Sequence, residues 1–114
     1  MKESSNIFKV LSDKNRLRIL KMLQYRPLCV CEITSILKLA PSTISQHLSL
    51  LKKAGFITEH REGRWNSYSI NRSPEDERIT AILTSLDFWI ADLNEVDSDR
   101  SKLKSVNKFL LTSK

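Results

Sequence analysis

The spacing of apolar residues changes at Gly55, from the period of a helix to the alternation of a strand. Residues 41–54 place their apolar side chains on one side of a helix, which a proline can begin and Gly55 can end. After Gly55, two runs rich in Ile, Thr, Tyr and Trp, residues 56–61 and 64–70, flank the turn dipeptide Glu62-Gly63. The sequence therefore predicts a helix followed directly by a β-hairpin.

Three helical segments precede this one. Residues 4–11 predict a short helix, and Ser12-Asp13 can cap a second helix that Pro27 ends. A third helical stripe covers residues 28–37, and the tripeptide Leu39-Ala40-Pro41 separates it from the next helix. Two helices joined by about three residues, the second polar on its outer face, predict a helix-turn-helix. With the hairpin, we expect a mainly α fold with a small β-hairpin wing, a winged helix-turn-helix.

The C-terminal part predicts two more helices. Ser73-Pro74-Glu75 opens a long helix that runs to about Glu95, and residues 97–114 predict a last amphipathic helix through Leu103, Val106 and Leu110. The long helix carries more apolar surface than one small core can bury, so we expect its apolar stripe to be a dimerisation face. The alternative is that this helix packs across its own domain. The stripe consists of Ile79, Ile82, Leu83, Leu86, Trp89, Ile90 and Leu93.

A chain of 114 residues leaves room for one domain, which we place at residues 1–114. Its parts are a helix-turn-helix at about 28–54, a wing at about 56–70 and C-terminal dimerisation helices at about 74–112. With 40% apolar and 28% charged residues, the composition is that of a globular protein. Because no apolar run suits a membrane span or a signal peptide, we expect a cytoplasmic protein with no membrane partner, in which the two cysteines are reduced thiols.

The net charge of +6 is unevenly distributed along the chain. Residues 1–38 carry eight Lys or Arg against three acids, and residues 39–72 carry five against two. Residues 73–114 reverse the sign with six against eight. The first two segments are therefore suited to approach phosphates and the last is not, although a basic surface also aids solubility.

The outer face of the helix at 41–54 is predicted to carry short polar side chains that can read bases. The major groove of DNA admits one α-helix, Gln can pair with adenine through two hydrogen bonds, and Ser and Thr can bond to base edges or phosphates. Lys52 and Lys53 can contact phosphates, and Arg61 and Arg64 at the hairpin tip can enter the minor groove. The alternative is a solvated polar face with ordinary surface arginines. The candidate base-reading residues are Ser42, Thr43, Ser45, Gln46 and His47.

Cys29 and Cys31 are the candidate metal ligands. Thiolates are soft ligands that select thiophilic ions. In a regular helix, residues two apart differ by about 200° around the axis, so both sulfurs can face one ion only where the helix is locally unwound. Pro27 puts the pair at a helix start, where such unwinding is feasible. Two other uses stay open: oxidation or persulfidation of the thiols, and burial as two small hydrophobic side chains.

Several runs of this chain resemble the ArsR/SmtB family of bacterial winged-helix metalloregulators. The resemblance covers about residues 7–72 and implies a homodimeric repressor that leaves double-stranded operator DNA when an inducer binds. It also implies a dimer interface formed by the first helix and the helix at 75–95 with the residues after it. The runs that carry the resemblance are Asp13 to Leu20, Leu28-Cys29-Val30-Cys31-Glu32-Ile33, Ser42 to Ile57, and Arg61 to Ile70.

The same resemblance implies a ligand for the cysteine pair. Cys-Val-Cys in this helix is typical of members that bind arsenite or antimonite, and of some that bind cadmium or lead, with no other cofactor required. The most similar arsenite-type members carry a third cysteine where Thr34 stands, which leaves the third position to a small-molecule thiol, water or another ligand. Members of the zinc and nickel type bind their ion through Asp, His and Glu side chains on the long C-terminal helix. Both histidines of this chain precede Arg61, so we do not expect a site of that type here.

The sequence suggests no enzyme. It contains no Ser-His-Asp or Cys-His-Asn set, phosphate loop or paired carboxylates, so we expect no catalytic residue. A third class of function is a winged helix that docks a protein partner instead of DNA.

Overall fold

The computed structural model describes residues 2–107, with side chains from Asn6 onward. The elements, in chain order, are α1 (Lys2–Leu11), α2 (Lys14–Tyr25), β1 (Leu28–Cys29), α3 (Val30–Leu37), α4 (Pro41–Lys53), β2 (Ile57–Glu62), β3 (Trp65–Ile70), α5 (Glu77–Thr84), α6 (Leu86–Trp89) and α7 (Glu95–Leu103). The three strands form one sheet of order β1-β3-β2, which is antiparallel throughout.

The predicted winged helix-turn-helix is confirmed, and local chemistry explains its boundaries. The Asp13 carboxylate caps α2 by accepting from the N–H groups of Asn15 and Arg16 at 2.7 and 3.2 Å. Gly55 has φ +95° between α4 and β2, and Gly63 has φ +58° in the hairpin turn. Both angles lie in the left-handed region that glycine adopts without a steric penalty.

One strand, β1, was not predicted. The helical stripe expected over residues 28–37 begins only at Val30, because Leu28 and Cys29 pair with Tyr68 and Ser67 of β3. A two-residue strand has no periodicity of its own, so only its pairing with β3 defines it. This pairing attaches the wing to the start of α3.

The expectation of one continuous helix from 75 to 95 is wrong. The helix ends at Thr84, and α6 begins after Ser85. The Ser85 hydroxyl donates to the Ala81 carbonyl at 2.9 Å and accepts from Trp89 Nε1 at 3.1 Å, so this side chain supplies hydrogen bonds at the break. The last helix, α7, spans Glu95–Leu103, and the predicted position Leu110 lies outside the described residues.

The apolar stripe assigned to dimerisation is largely covered by the chain itself. Because α5 and α6 are separate helices, both turn their apolar sides into the one core. Trp89 is 66% exposed and its neighbour Phe88 is 76% exposed. The stripe is therefore not the free face that we expected. Its residues within the core are Ile79, Leu83, Leu86 and Ile90, with Ile82 and Leu93 partly buried against it.

Across residues 2–107, every helix is too short or too polar to cross a lipid bilayer.

Candidate nucleic-acid interface and thiol pair

The turn between α3 and α4 fixes how α4 is presented. Lys38 ends α3 in the left-handed conformation, with φ 57°, and its N–H donates to the Thr34 carbonyl at 2.8 Å. Pro41 begins α4, where its missing N–H leaves no hydrogen bond unmade. The opposite side of α4 from the core faces solvent. The residues that anchor its inner side, all fully buried, are Ile44, Leu48 and Leu51.

Four of the five candidate base-reading residues lie at the outer side of α4. Ser42, Ser45 and Gln46 are exposed, and Thr43 is half-buried. Ser49, which was not among the predicted residues, is exposed one turn after Ser45 and extends the same polar face. Its helical spacing from Ser42 and Ser45 is the signal that identifies it.

His47 lies on the inner side of α4, which corrects its expected position on the outer face. The residue is only 9% exposed, and its Nδ1 lies 3.2 Å from Arg16 Nη1. Since a guanidinium only donates, Nδ1 accepts and the ring hydrogen is assigned to Nε2. Arg16 also donates from Nε to the Val10 carbonyl in α1 at 2.6 Å. His47 therefore links α4 to α1 and α2.

Lys52 at the end of α4 is already engaged by a carboxylate. Its Nζ donates to Glu59 Oε1 at 2.8 Å, and the Tyr68 hydroxyl donates to Glu59 Oε2 at 3.1 Å. The hydrogen bond from Lys52 holds the pKa of Glu59 below its ordinary value. A phosphate contact by Lys52 would have to compete with Glu59, whereas Lys53 is exposed at the same helix end.

The wing presents both predicted arginines to solvent. Arg61 on β2 and Arg64 in the hairpin turn are exposed on either side of Gly63. The Arg64 guanidinium lies over the Trp65 ring at 4.8 Å from its centroid, a cation–π contact that holds the arginine at the tip.

The two cysteines meet at the first turn of α3. Cys29 is the N-cap residue with an extended backbone, φ −95° and ψ 167°, so it is not on the helix proper. Its Sγ lies 2.8 Å from Sγ of Cys31, in hydrogen-bond contact. The local unwinding that two facing sulfurs require is thus already present in the fold. Cys29 is buried and Cys31 is half-buried.

The surroundings of Cys29 favour the protonated thiol. Burial, followed by the hydrogen bond with Cys31, raises the pKa of Cys29 to about 12. The sulfur of Cys29 and the carboxylate of Glu32 form a capping box, in which Glu32 Oε1 accepts from the Cys29 N–H at 3.0 Å. The Glu32 charge lies close to the thiol and also disfavours the thiolate.

Thr34 stands where the most similar arsenite-type members carry a third cysteine, and its hydroxyl is buried. Its Oγ1 has no hydrogen-bond partner in the described part of the chain. Over the same residues, no group of three or more His, Cys, Asp or Glu side chains is placed to hold a metal ion. Among the described residues, this pair offers two soft sulfur donors, and a thiophilic ion held by them would have to take its remaining ligands from elsewhere.

The described fold is matched by a known family. The family model described as "Bacterial regulatory protein, arsR family" matches residues 13–59. An uncharacterized HTH-type transcriptional regulator of Methanocaldococcus jannaschii is 42% identical over 86 residues, which are 75% of this chain and 92% of that protein. The chain belongs to the ArsR family of bacterial regulatory proteins. The family and this relative are transcriptional regulators rather than enzymes.

Other relatives of this ArsR-family protein are named for metal resistance. The arsenical resistance operon repressor of Bacillus subtilis is 36% identical and aligns over 68% of this chain and 70% of its own length. The cadmium resistance transcriptional regulatory protein CadC of Listeria innocua is 43% identical over 58% of this chain, but only 56% of CadC is covered. The match to CadC thus spans about half of that relative.

Solved structures share the winged helix. HlyU from Vibrio cholerae has a TM-score of 0.66 and 27% identity, covering 79% of this chain and 94% of HlyU. The DNA-binding domain of Mb0332 from Mycobacterium bovis, described as homodimeric, has a TM-score of 0.67 and covers 82% of this chain and 83% of its own. At 23% identity, the second likeness shows the fold alone.

Proposed function

We propose that this ArsR-family protein is a cytoplasmic, homodimeric repressor that leaves its operator when arsenite or antimonite binds Cys29 and Cys31. The observation that carries the proposal is the 2.8 Å contact between the two sulfurs at the start of α3, the helix directly before α4. A ligand at this position acts one element away from the surface that reads DNA.

The DNA-binding part of the proposal rests on the outer face of α4 and on the wing. Exposed Ser and Gln side chains suit base edges in the major groove, and the exposed Arg61 and Arg64 suit the narrow minor groove beside it. Lys53 supplies a phosphate contact at the end of α4, and Lys52 contributes only if DNA displaces Glu59. The proposed base-reading residues are Ser42, Thr43, Ser45, Gln46 and, in addition, Ser49.

The dimer part of the proposal rests on exposed aromatic side chains. Phe8 on α1 is exposed, as are Phe88 and Trp89, whose rings pack edge to face at 5.2 Å. Large exposed aromatic groups on a small domain favour a partner surface. A second copy would also place two α4 helices on half-sites about 34 Å apart, so we expect a palindromic operator.

The ion chemistry follows from the sulfur pair. Arsenous acid, As(OH)3, reacts with the two thiols: two As–S bonds replace two As–O bonds, and the two thiol protons leave with the two hydroxyls as two waters. Arsenic keeps its oxidation state and one hydroxyl. Two thiolates that share one ion at bond lengths of about 2.3 Å and bond angles of about 90–110° lie about 3.3–3.8 Å apart, whether the ion is trigonal or tetrahedral. Sulfurs 2.8 Å apart must therefore separate when they hold a shared arsenic or metal ion.

Such a movement would reach both DNA-binding elements. Cys29 pairs with Ser67 of the wing sheet, and Cys31 is part of α3, which packs on α4. An allosteric coupling of about 1–3 kcal/mol changes operator affinity about 5- to 150-fold.

The test is binding of the reduced protein to the promoter upstream of its own gene, with and without arsenite. We expect tight binding without arsenite and release with it, and Cys29→Ser/Cys31→Ser should bind equally well but stay bound. Release of that double variant by arsenite would remove the cysteines from the mechanism. Failure of the wild type to bind any duplex at low salt would overturn the repressor itself and favour a protein-docking module.

A second candidate function is thiol-based redox or persulfide sensing, favoured by the same short distance between sulfurs. Oxidation of both thiols to a disulfide would bring them to about 2.05 Å across one intervening residue. Release by hydrogen peroxide or by a polysulfide, but not by arsenite, cadmium or zinc, would favour this candidate.

A further inference from the structure

A chain of hydrogen bonds leads from the thiol pair to the C-terminal end of α7. Glu32 is 4% exposed and uses both carboxylate oxygens. Oε1 accepts from the Cys29 N–H at 3.0 Å, and Oε2 accepts from Arg26 Nη1, also at 3.0 Å. The carboxylate therefore joins the backbone of the N-cap cysteine to the last residue before Pro27.

Arg26 extends this chain to the end of α7. Its Nη2 donates to the carbonyls of Leu103 and Val106 at 3.2 and 2.9 Å. The last carbonyls of a helix have no partner within the helix, and a positive charge there is favourable. Arg26 thus supplies a hydrogen-bonding cap from another part of the chain. The middle of α7 is held separately, by the ion pair between Arg18 and Asp99.

We propose that Glu32 and Arg26 are positioning residues of the thiol pair and link it to the C-terminal end of α7. The inference rests on the proposed function for its ligand. A ligand held by both sulfurs changes their separation and moves the Cys29 backbone, which is bound to Glu32. The Arg26 guanidinium binds both Glu32 and the carbonyls at the end of α7. When Glu32 moves, Arg26 moves with it, and the hydrogen bonds that hold residues 103–107 weaken. Ligand binding at the thiols then changes the structure at the end of α7 as well as at α4.

The experiment uses phenylarsine oxide, which takes two thiols and releases one water without a change in oxidation state. Hydrogen–deuterium exchange is measured on the reduced, full-length protein, and mass spectrometry records whether the arsenical is bound. We expect exchange over residues 103–107 to rise by about threefold or more, while residues 95–99 beside Arg18 stay unchanged. A bound arsenical with unchanged exchange at 103–107 would overturn the proposal.

Arg26→Lys separates the two contacts of the arginine. A single ammonium can keep the charge beside Glu32 but lacks the fork that reaches the carbonyls as well. In Arg26→Lys, we expect hydrogen–deuterium exchange at residues 103–107 to be raised before the arsenical is added and to change little when it binds. The rate of thiol alkylation by iodoacetamide should stay close to that of the wild type. Exchange identical to wild type, with and without the arsenical, would contradict the link.

Arg26→Gln and the control Lys21→Gln, on the helix α2 that Arg26 caps, decide the case even if no arsenical binds. Energetic coupling between two sites is reciprocal, so the loss of Arg26 should also change the reactivity of the thiols. A buried carboxylate without its partner turns towards water and uncaps Cys29, so we expect alkylation of Cys29, read by peptide mass spectrometry, to be about threefold faster or more in Arg26→Gln than in Lys21→Gln. Equal rates in the two variants would refute the link, whereas failure of arsenical binding alone would refute only the sensing proposal.

Discussion

Arg18 and Asp99 form a two-point ion pair between α2 and α7. Nε donates to Oδ2 at 2.9 Å and Nη2 donates to Oδ1 at 2.8 Å, and Asp99 is only 2% exposed. The Asp99 carboxylate raises the pKa of Arg18. Among the described residues of α7, Asp99 and Leu103 are the buried ones, so the charge pair and one apolar side chain attach this helix to the core.

We expect Asp99→Asn to lower the free energy of unfolding by about 3–5 kcal/mol, because the largely buried Arg18 loses its counter-charge. Urea unfolding followed by circular dichroism measures the change. The control is Asp87→Asn, since Asp87 is an exposed residue paired with Lys21, and we expect less than about 1 kcal/mol there. Equal effects of the two substitutions would show that the buried pair does not hold α7.

Glu59→Gln should strengthen DNA binding and make it more sensitive to salt. The substitution releases Lys52 for a phosphate, which raises the slope of log affinity against log salt by about one. Fluorescence anisotropy over a series of KCl concentrations measures the slope. Asp92→Asn, the same charge change at an exposed residue between α6 and α7, is the control and should leave the slope unchanged. A slope in Glu59→Gln no greater than in that control would contradict the role of Lys52.

Gln46 and His47, although adjacent, should respond differently to substitution. We expect Gln46→Ala to lower the preference for operator over random DNA. His47→Ala removes the acceptor for Arg16 and should cost about 1–3 kcal/mol of stability with little change in that preference. Competition binding and thermal unfolding separate the two effects. Lys53→Ala is the control for a phosphate contact and should weaken binding to operator and random DNA alike. If Gln46→Ala leaves the preference for operator unchanged, Gln46 does not read a base.

The two cysteines should differ in reactivity towards iodoacetamide. Cys29 is buried, and its pKa of about 12 keeps it protonated at pH 8, so the half-buried Cys31 should be modified first. Peptide mass spectrometry gives the order, and prior modification of Cys29 would contradict it.

The same pKa predicts an alkaline loss of stability. The folded-state pKa of Cys29 is raised above the unfolded value of about 9, so its contribution is fully present below pH 9 and is lost as the pH rises towards about 12. Cys29→Ser should reduce the fall in unfolding free energy over this range. Urea unfolding at several pH values tests this, and an unchanged pH dependence would argue against the raised pKa.

Much of the fold follows from local sequence. Asp13, Pro41, Gly55 and Gly63 act on the backbone within a few residues, through capping, a missing N–H and left-handed φ angles, so they could be recognised without tertiary contacts. The sequence also encoded the position of His47 on the inner side of α4. Positions 44, 47, 48 and 51 have the spacing of one helix side, although a polar residue type suggested the other side.

The sequence by itself determined the helix-turn-helix, the hairpin and the place of the cysteine pair at a helix start, because each depends on neighbours along the chain. Only the tertiary structure decided that Cys29 pairs with β3 and meets Cys31, that α5 and α6 close the core, and that Arg26 joins Glu32 to α7. These contacts join residues distant in sequence, and their burial and charge compensation exist only once the elements have packed.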